Sequence, residues 1–192
     1  VDAALDAFTW GKCAYCEQIA AEDIEHFYPK SDYPNRMFRW DNMLRACKNC
    51  NQAKRDRFPC ERGCPLLLDP CEDEPLDYFA WDFTTGAMGA SPEPNRKMRA
   101  RTTERMFALN HEPLREARRR KVHNVVFLLA TVVHEEPPSN VARTRLKDEL
   151  SAECPWLGIV RELLHRPGKY RRLLEAAIGK VPEIVEWTAE WL

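Results

Sequence analysis

A chain of 192 residues can bury the core of one domain, or of a small one with an appended subdomain, and its 44% apolar and 31% charged residues exclude extended disorder. The longest apolar run, Val125 to Val133, is interrupted by Thr131 and is too short to span a bilayer; with no secretory signal visible, a cytoplasmic protein without membrane contact is expected. A net charge of −1 excludes a global basic field, yet residues 93–121 hold ten Lys/Arg against four Glu, and Asp69 to Asp82 holds six acids and no base.

In chain order, residues 2–9 read as the end of a helix, broken by Gly11. Cys13/Cys16 and Cys47/Cys50 then form two Cys-x-x-Cys pairs separated by thirty residues, the spacing of a zinc site and not of a secreted disulfide framework. Between them, Asp23 to Phe27 suits a short strand ended by Pro29 and Ser31-Asp32, with Met37 to Leu44 as its antiparallel partner. Asn51 to Asp56 has good helix formers, a natural N-cap in Asn51, and a stop at Pro59.

Residues 60–95 are irregular except at Tyr78 to Phe83, where alternation puts Phe79, Trp81 and Phe83 on one face and Thr85-Gly86 provides a hairpin turn. From Arg96 the pattern is helical. Asn110 can cap a long helix with Pro113 in its first turn, ending before Pro137-Pro138, and shorter helices are expected at 140–152, 156–166, 169–178 and 181–192. The fold class is α+β: a zinc-held core within 1–95, then a mainly helical region, 96–192. The run Arg118 to Lys121 reads either as a solvated helix face or as a contact to a DNA backbone. In the last helix, Val181, Ile184, Val185, Trp187, Thr188, Trp191 and Leu192 suit core packing or a docking face for another protein. Cys60, Cys64, Cys71 and Cys154 read as free thiols.

Four thiolates close zinc's tetrahedral shell, so Cys13, Cys16, Cys47 and Cys50 would stabilise a fold without catalysing hydrolysis. Chemistry would have to come from hard donors beside them, and Glu25, His26 and Asn51 are well placed. A carboxylate and an amide oxygen suit magnesium or manganese, and a neutral imidazole can take a proton from water. Asp23 competes with Glu25 for the cation, and Asn51 could be only the helix cap. Lys54, one turn after Asn51, could reach a phosphate, with Arg55 and Arg57 as further contacts, or could lie on a solvated surface.

The segments CAYCE, IEHFYPKS, WDNML, CKNCNQAK and LLDPCEDEP, with the later ALN-x-x-x-L-x-x-x-R, together resemble the zinc-knuckle branch of the HNH (ββα-metal) endonucleases, and more narrowly the PtuB-like proteins found with retrons and in Septu antiphage defence. The resemblance covers roughly residues 11–120. It implies a ββα-metal core with His26 as general base, Glu25 and Asn51 holding a divalent cation, Asn42 orienting the His26 loop, and structural zinc on the four cysteines. The family often has Asp at the position of Glu25 and His at that of Asn51; both exchanges keep an oxygen or nitrogen donor. The implied activity is metal-dependent hydrolysis of nucleic-acid phosphodiesters, DNA first, as a defence effector working with a PtuA-like ATPase. A zinc-held adaptor without catalysis, and a nuclease acting on RNA including transfer RNA, are the alternatives.

Overall fold

The computed structural model of the protein describes residues 1–189, so Trp191 and Leu192 lie outside the described residues. The chain is a mixed α+β structure with small two-stranded sheets. It divides into two units, one of residues 1–80 with 88–114, the other of 81–87 with 115–192.

In the first unit, α1 (Asp2–Thr9) is tied to the strands by Arg45, a buried guanidinium that pairs with Asp2 at 2.9 Å and Asp6 at 2.6 Å. Strand β1 (Ala21–His26) pairs antiparallel with β2 (Met43–Cys47), placing Glu25 opposite Leu44 and His26 opposite Met43. The partner strand thus begins at Met43, later than the sequence pattern places it, because 34–36 and 40–42 coil into 3-10 turns instead. Helix α2 (Lys48–Lys54) follows β2 without a loop and packs on both strands, completing a ββα arrangement. Cys47 occupies the N-cap, so Asn51 lies inside the helix and does not cap it.

The hairpin of β3 (Cys60–Glu61) and β4 (Cys64–Pro65) carries two exposed cysteines on a stretch the sequence left irregular. A short helix, α3 (Pro75–Tyr78), leads into β5 (Phe79–Trp81), which pairs with β6 (Met88–Ala90) as the alternating pattern predicts. The acidic stretch and the basic helix α4 (Pro94–Phe107) meet: Arg99 pairs with Asp73 at 2.5 Å and also donates to the Leu67 carbonyl. The charge segregation of the sequence is here neutralised internally. Asn110 lies two residues before the helix that starts at Glu112, and its amide accepts from the Met88 N–H and donates to the Met88 carbonyl, holding the first residue of β6. The core of this unit gathers the four cysteines with Tyr15, Phe27, Leu44, Leu67, Phe107 and Leu109.

The second unit is built on α5 (Glu112–His134), with α6 (Asn140–Glu149), α7 (Leu157–His165), α8 (Arg171–Lys180) and α9 (Glu183–Thr188). Its core includes Val125, Leu129, Leu146, Val160, Leu163, Ala177 and Ile184, so the last helix packs inward through Ile184 and Thr188. The basic run is not a free cationic face. Arg118 is buried and donates to the Gly86 carbonyl, Lys121 is buried and pairs with Glu149 at 2.6 Å, and Arg119 and Arg120 both hold Glu116. Two of the four cations are thus taken into the interior, while Arg119 and Arg120 stay at the surface around one shared acid.

Gly86 has φ +69°, and a Cβ at this position would stand 2.0 Å from the Arg115 carbonyl oxygen. Gly86→Ala is therefore expected to destabilise this unit by about 2–5 kcal/mol, read as a lowered urea midpoint with an unchanged m-value. No helix among the described residues is long and apolar enough to cross a membrane.

Candidate active site and metal centre

The Sγ atoms of Cys13, Cys16, Cys47 and Cys50 all lie within 4.8 Å of one another, and all four residues are buried. The first knuckle is shaped by a left-handed Glu17 at φ 61° and pinned to β2 where the Ala14 N–H donates to the Arg45 carbonyl. The second knuckle is the junction of β2 and α2 itself, with Cys47 at the cap and Cys50 in the first turn. Contacts among the sulfurs, led by Cys13, push the Cys16 and Cys50 thiols up and pull Cys47 down. So crowded an array cannot hold four thiolates without a cation among them. It fits a zinc ion, which all four sulfurs would hold in a closed, structural site.

Directly beside it, the acids of β1 meet α2. A bulge between Ala21 and Asp23 resets the register so that Asp23 and Glu25, two residues apart, share the face toward the helix. Asn51 donates its amide to Asp23 at 2.9 Å, and Lys54 donates to Glu25 at 2.5 Å and to the His26 carbonyl at 2.7 Å. Tyr15, from the first knuckle, donates its hydroxyl to the other Glu25 oxygen at 2.5 Å. Burial first, and then the Glu25 carboxylate, push the Tyr15 phenol well above its ordinary range, so it remains a donor.

Glu25, 3% exposed, thus has both carboxylate oxygens engaged. Asp23 and Asn51 are only half-buried and form the accessible oxygen-donor pair. As a donor set, a carboxylate and an amide fit a hard divalent cation; Glu25 could join them only by releasing Lys54. Lys54 is 0% exposed, which corrects its expected place on a phosphate-facing surface. Arg55 and Arg57 are exposed, although Arg57 also donates to the Ala53 carbonyl.

His26 ends β1 with its ring half-buried, and its Nε2 lies 2.9 Å from the Met37 carbonyl oxygen. A carbonyl oxygen only accepts, so Nε2 donates in this bond, and the tautomer it selects for a neutral ring is the one with the lone pair on Nδ1. The loop that supplies Met37 is held by Asn42, which is 1% exposed: its Oδ1 accepts from the Tyr28 N–H at 2.7 Å, and its Nδ2 donates to the Tyr28 and Arg36 carbonyls at 3.1 Å each. Asn42 contacts the loop backbone and not the imidazole. The structure therefore gathers Asp23, Glu25, Asn51 and Lys54 between one strand and one helix, with His26 the last residue of that strand, its carbonyl held by Lys54 and its ring by the loop that Asn42 clamps.

The sequence reading missed Tyr15 and the inward role of Lys54. Nothing local marks Tyr15. Cys47, Cys50 and Lys54 do recur at helical spacing, which places all three on one face, and that signal outweighs the usual exposure of lysine. Because Lys54 and Glu25 are a buried pair, Lys54→Met should cost about 3–5 kcal/mol by leaving a carboxylate uncompensated. Adding Glu25→Gln should recover part of that loss in a double-mutant cycle followed by urea unfolding.

Comparison with known proteins finds relatives over part of the chain. It is 30% identical over 139 residues to Septu protein PtuB of Bacillus mycoides (strain KBAB4), covering 56% of this chain and 46% of that protein. It is 41% identical over 73 residues to Septu protein PtuB of Bacillus thuringiensis, covering 35% of this chain and 27% of that one. A third relative, Septu protein PtuA of Bacillus mycoides (strain KBAB4), is 29% identical over 102 residues, covering 38% of this chain and 14% of its own length. The chain spans less than half the length of these curated relatives. No family model matches, and no solved structure matches. Over the part that aligns, the chain is homologous to Septu protein PtuB and carries a four-cysteine cluster fit for zinc.

Proposed function

We propose that the protein is a metal-dependent HNH-type endonuclease and the effector of a Septu-type antiphage defence system, acting with a PtuA-like ATPase. The observation that carries this reading is His26: an imidazole held through Nε2 by a backbone carbonyl, at the end of the strand whose Asp23 is bonded to Asn51 of the following helix, on a ββα scaffold. Similarity to PtuB and PtuA supports the defence role and the partner.

In the proposed reaction, Nδ1 of His26 takes a proton from water, the water oxygen bonds to phosphorus, and the bond from phosphorus to the 3′ oxygen breaks, with that oxygen taking a proton from solvent. Asp23 and Asn51 would hold magnesium or manganese, which when bound offsets the charge developing on the phosphate oxygens. Arg55 and Arg57 lie on the exposed side of the following turn and would contact the strand's phosphates. DNA is the expected substrate.

The deciding experiment incubates the zinc-loaded protein, with and without its ATPase partner, on plasmid DNA and on total RNA, with magnesium added or omitted. Cleavage of plasmid in magnesium alone supports the reading, cleavage confined to RNA changes the substrate, and binding without cleavage in any arm would leave an adaptor.

A further inference from the structure

Of the large aromatic side chains that remain exposed among the described residues, Phe8, Trp10, Phe38 and Trp40 belong to the first unit and Phe127 alone to the second. Isolated exposed apolar residues require no explanation, but these are grouped. Phe8, Trp10 and Trp40 line one cavity of about 410 Å³ whose floor includes Leu5 and Leu44. Phe38 stands two residues before Trp40 and is 84% exposed.

Phe38 is not exposed because its loop is loose. Its neighbours are bonded on both sides: the Met37 N–H donates to the Pro34 carbonyl, the Arg39 N–H to the Arg36 carbonyl, and the Asn42 N–H to the Arg39 carbonyl, while Asn42 clamps Arg36 and Tyr28. The residue before Phe38 is Met37, whose carbonyl holds His26. A rigid turn therefore presents a bare aromatic ring one residue from the group that orients the imidazole. Cations lie beside the rings: Lys12 is 5.2 Å over Trp10 and Arg36 is 4.0 Å over the half-buried Tyr28, whereas Arg39, next to Trp40, is paired with Asp41, which lines the cavity together with Glu17.

We propose that Phe38 and Trp40, continued by Trp10 and Phe8, form a stacking track for unpaired nucleobases that leads a single-stranded nucleic acid to His26. Aromatic faces accept any base, and neighbouring cations track the backbone, which is the arrangement that single strands need. A duplex keeps its base faces stacked on one another and cannot use these rings, so the track selects single-stranded or locally opened substrate. This rests on the nuclease reading for its destination, although the track itself requires only binding.

The test measures fluorescence anisotropy of labelled oligothymidylate, oligouridylate and a blunt DNA duplex with the full zinc-loaded chain, with neither magnesium nor chelator added. Wild type should bind the single strands more tightly than the duplex. Phe38→Ala and Trp40→Ala should each weaken single-strand binding by about 5- to 150-fold, while Phe127→Ala leaves it unchanged. Equal binding by the thymidine and uridine strands that falls in Phe38→Ala and Trp40→Ala supports stacking without discrimination of the sugar, and a ring-dependent preference for one strand supports the track and names the sugar or base it favours. Phe38→Ala and Trp40→Ala binding as wild type does, with zinc content and circular dichroism unaltered, would overturn it. So would equal or tighter binding of the duplex, or a loss confined to association with the ATPase partner. The two readings fail separately. Cleavage that depends on His26 but not on Phe38 sinks only the track, and aromatic-dependent binding without cleavage in any metal sinks only the nuclease.

Discussion

His26→Ala is expected to lower the rate of metal-dependent cleavage by about 10²- to 10⁴-fold, the usual worth of a positioned general base. The ring is half-buried and its one recorded hydrogen bond is to the Met37 carbonyl, so removing it should cost only about 1 kcal/mol of stability. The strand β1 would keep its other ties, because Lys54 grips the His26 carbonyl and not its side chain. Single-turnover cleavage should therefore collapse while substrate binding and the urea midpoint stay near wild type. A variant cleaving at the wild-type rate would remove His26 from the chemistry. One that merely unfolds would make it a structural residue.

Loss of metal from the thiol site should act in the opposite way. The four cysteines are not attached to a finished core; they are part of it, packed with Tyr15, Phe27, Leu44 and Phe107. Structural zinc contributes on the order of 10 kcal/mol in small domains, comparable to the whole stability of an ordinary one. Cys50→Ser, or stripping the metal with a chelator, should thus abolish the cooperative fold of residues 1–80 and 88–114. Residues 115–189 have a separate apolar core and should retain their slow amide exchange. Hydrogen exchange resolved along the chain reads both halves at once, and protection persisting in β1, β2 and α2 after metal removal would exclude a structural zinc.

How much of this was legible depended on whether the deciding information was local. The cysteine pairs, the strand through Glu25 and His26, the alternation at Phe79 and Trp81 and most helix spans follow from spacing and periodicity, and they stand. The errors share a cause. Asn51 has the right side chain to cap a helix, but the knuckle starts the helix at Cys47 and carries Asn51 inward to Asp23. Lys54, Arg118 and Lys121 look like surface cations until carbonyls and carboxylates distant in sequence claim them. In each case a polar group had several partners available locally, and burial chose a remote one.

Helix α2 sets a constraint on how the sequence can change. From the N-cap and the turns of a seven-residue helix, Cys47 and Cys50 join the cysteine cluster, Asn51 reaches Asp23 and Lys54 reaches Glu25. One inserted or deleted residue between Cys50 and Lys54 rotates everything downstream by about 100°, which would swing Lys54 away from Glu25 and leave a buried carboxylate facing nothing. Substitutions at the exposed Asn49 or Gln52 preserve that phase and should be absorbed. Length is therefore the least negotiable property of this stretch, and a library of single-residue insertions through Lys48–Lys54 should return almost no folded protein where a substitution library returns many.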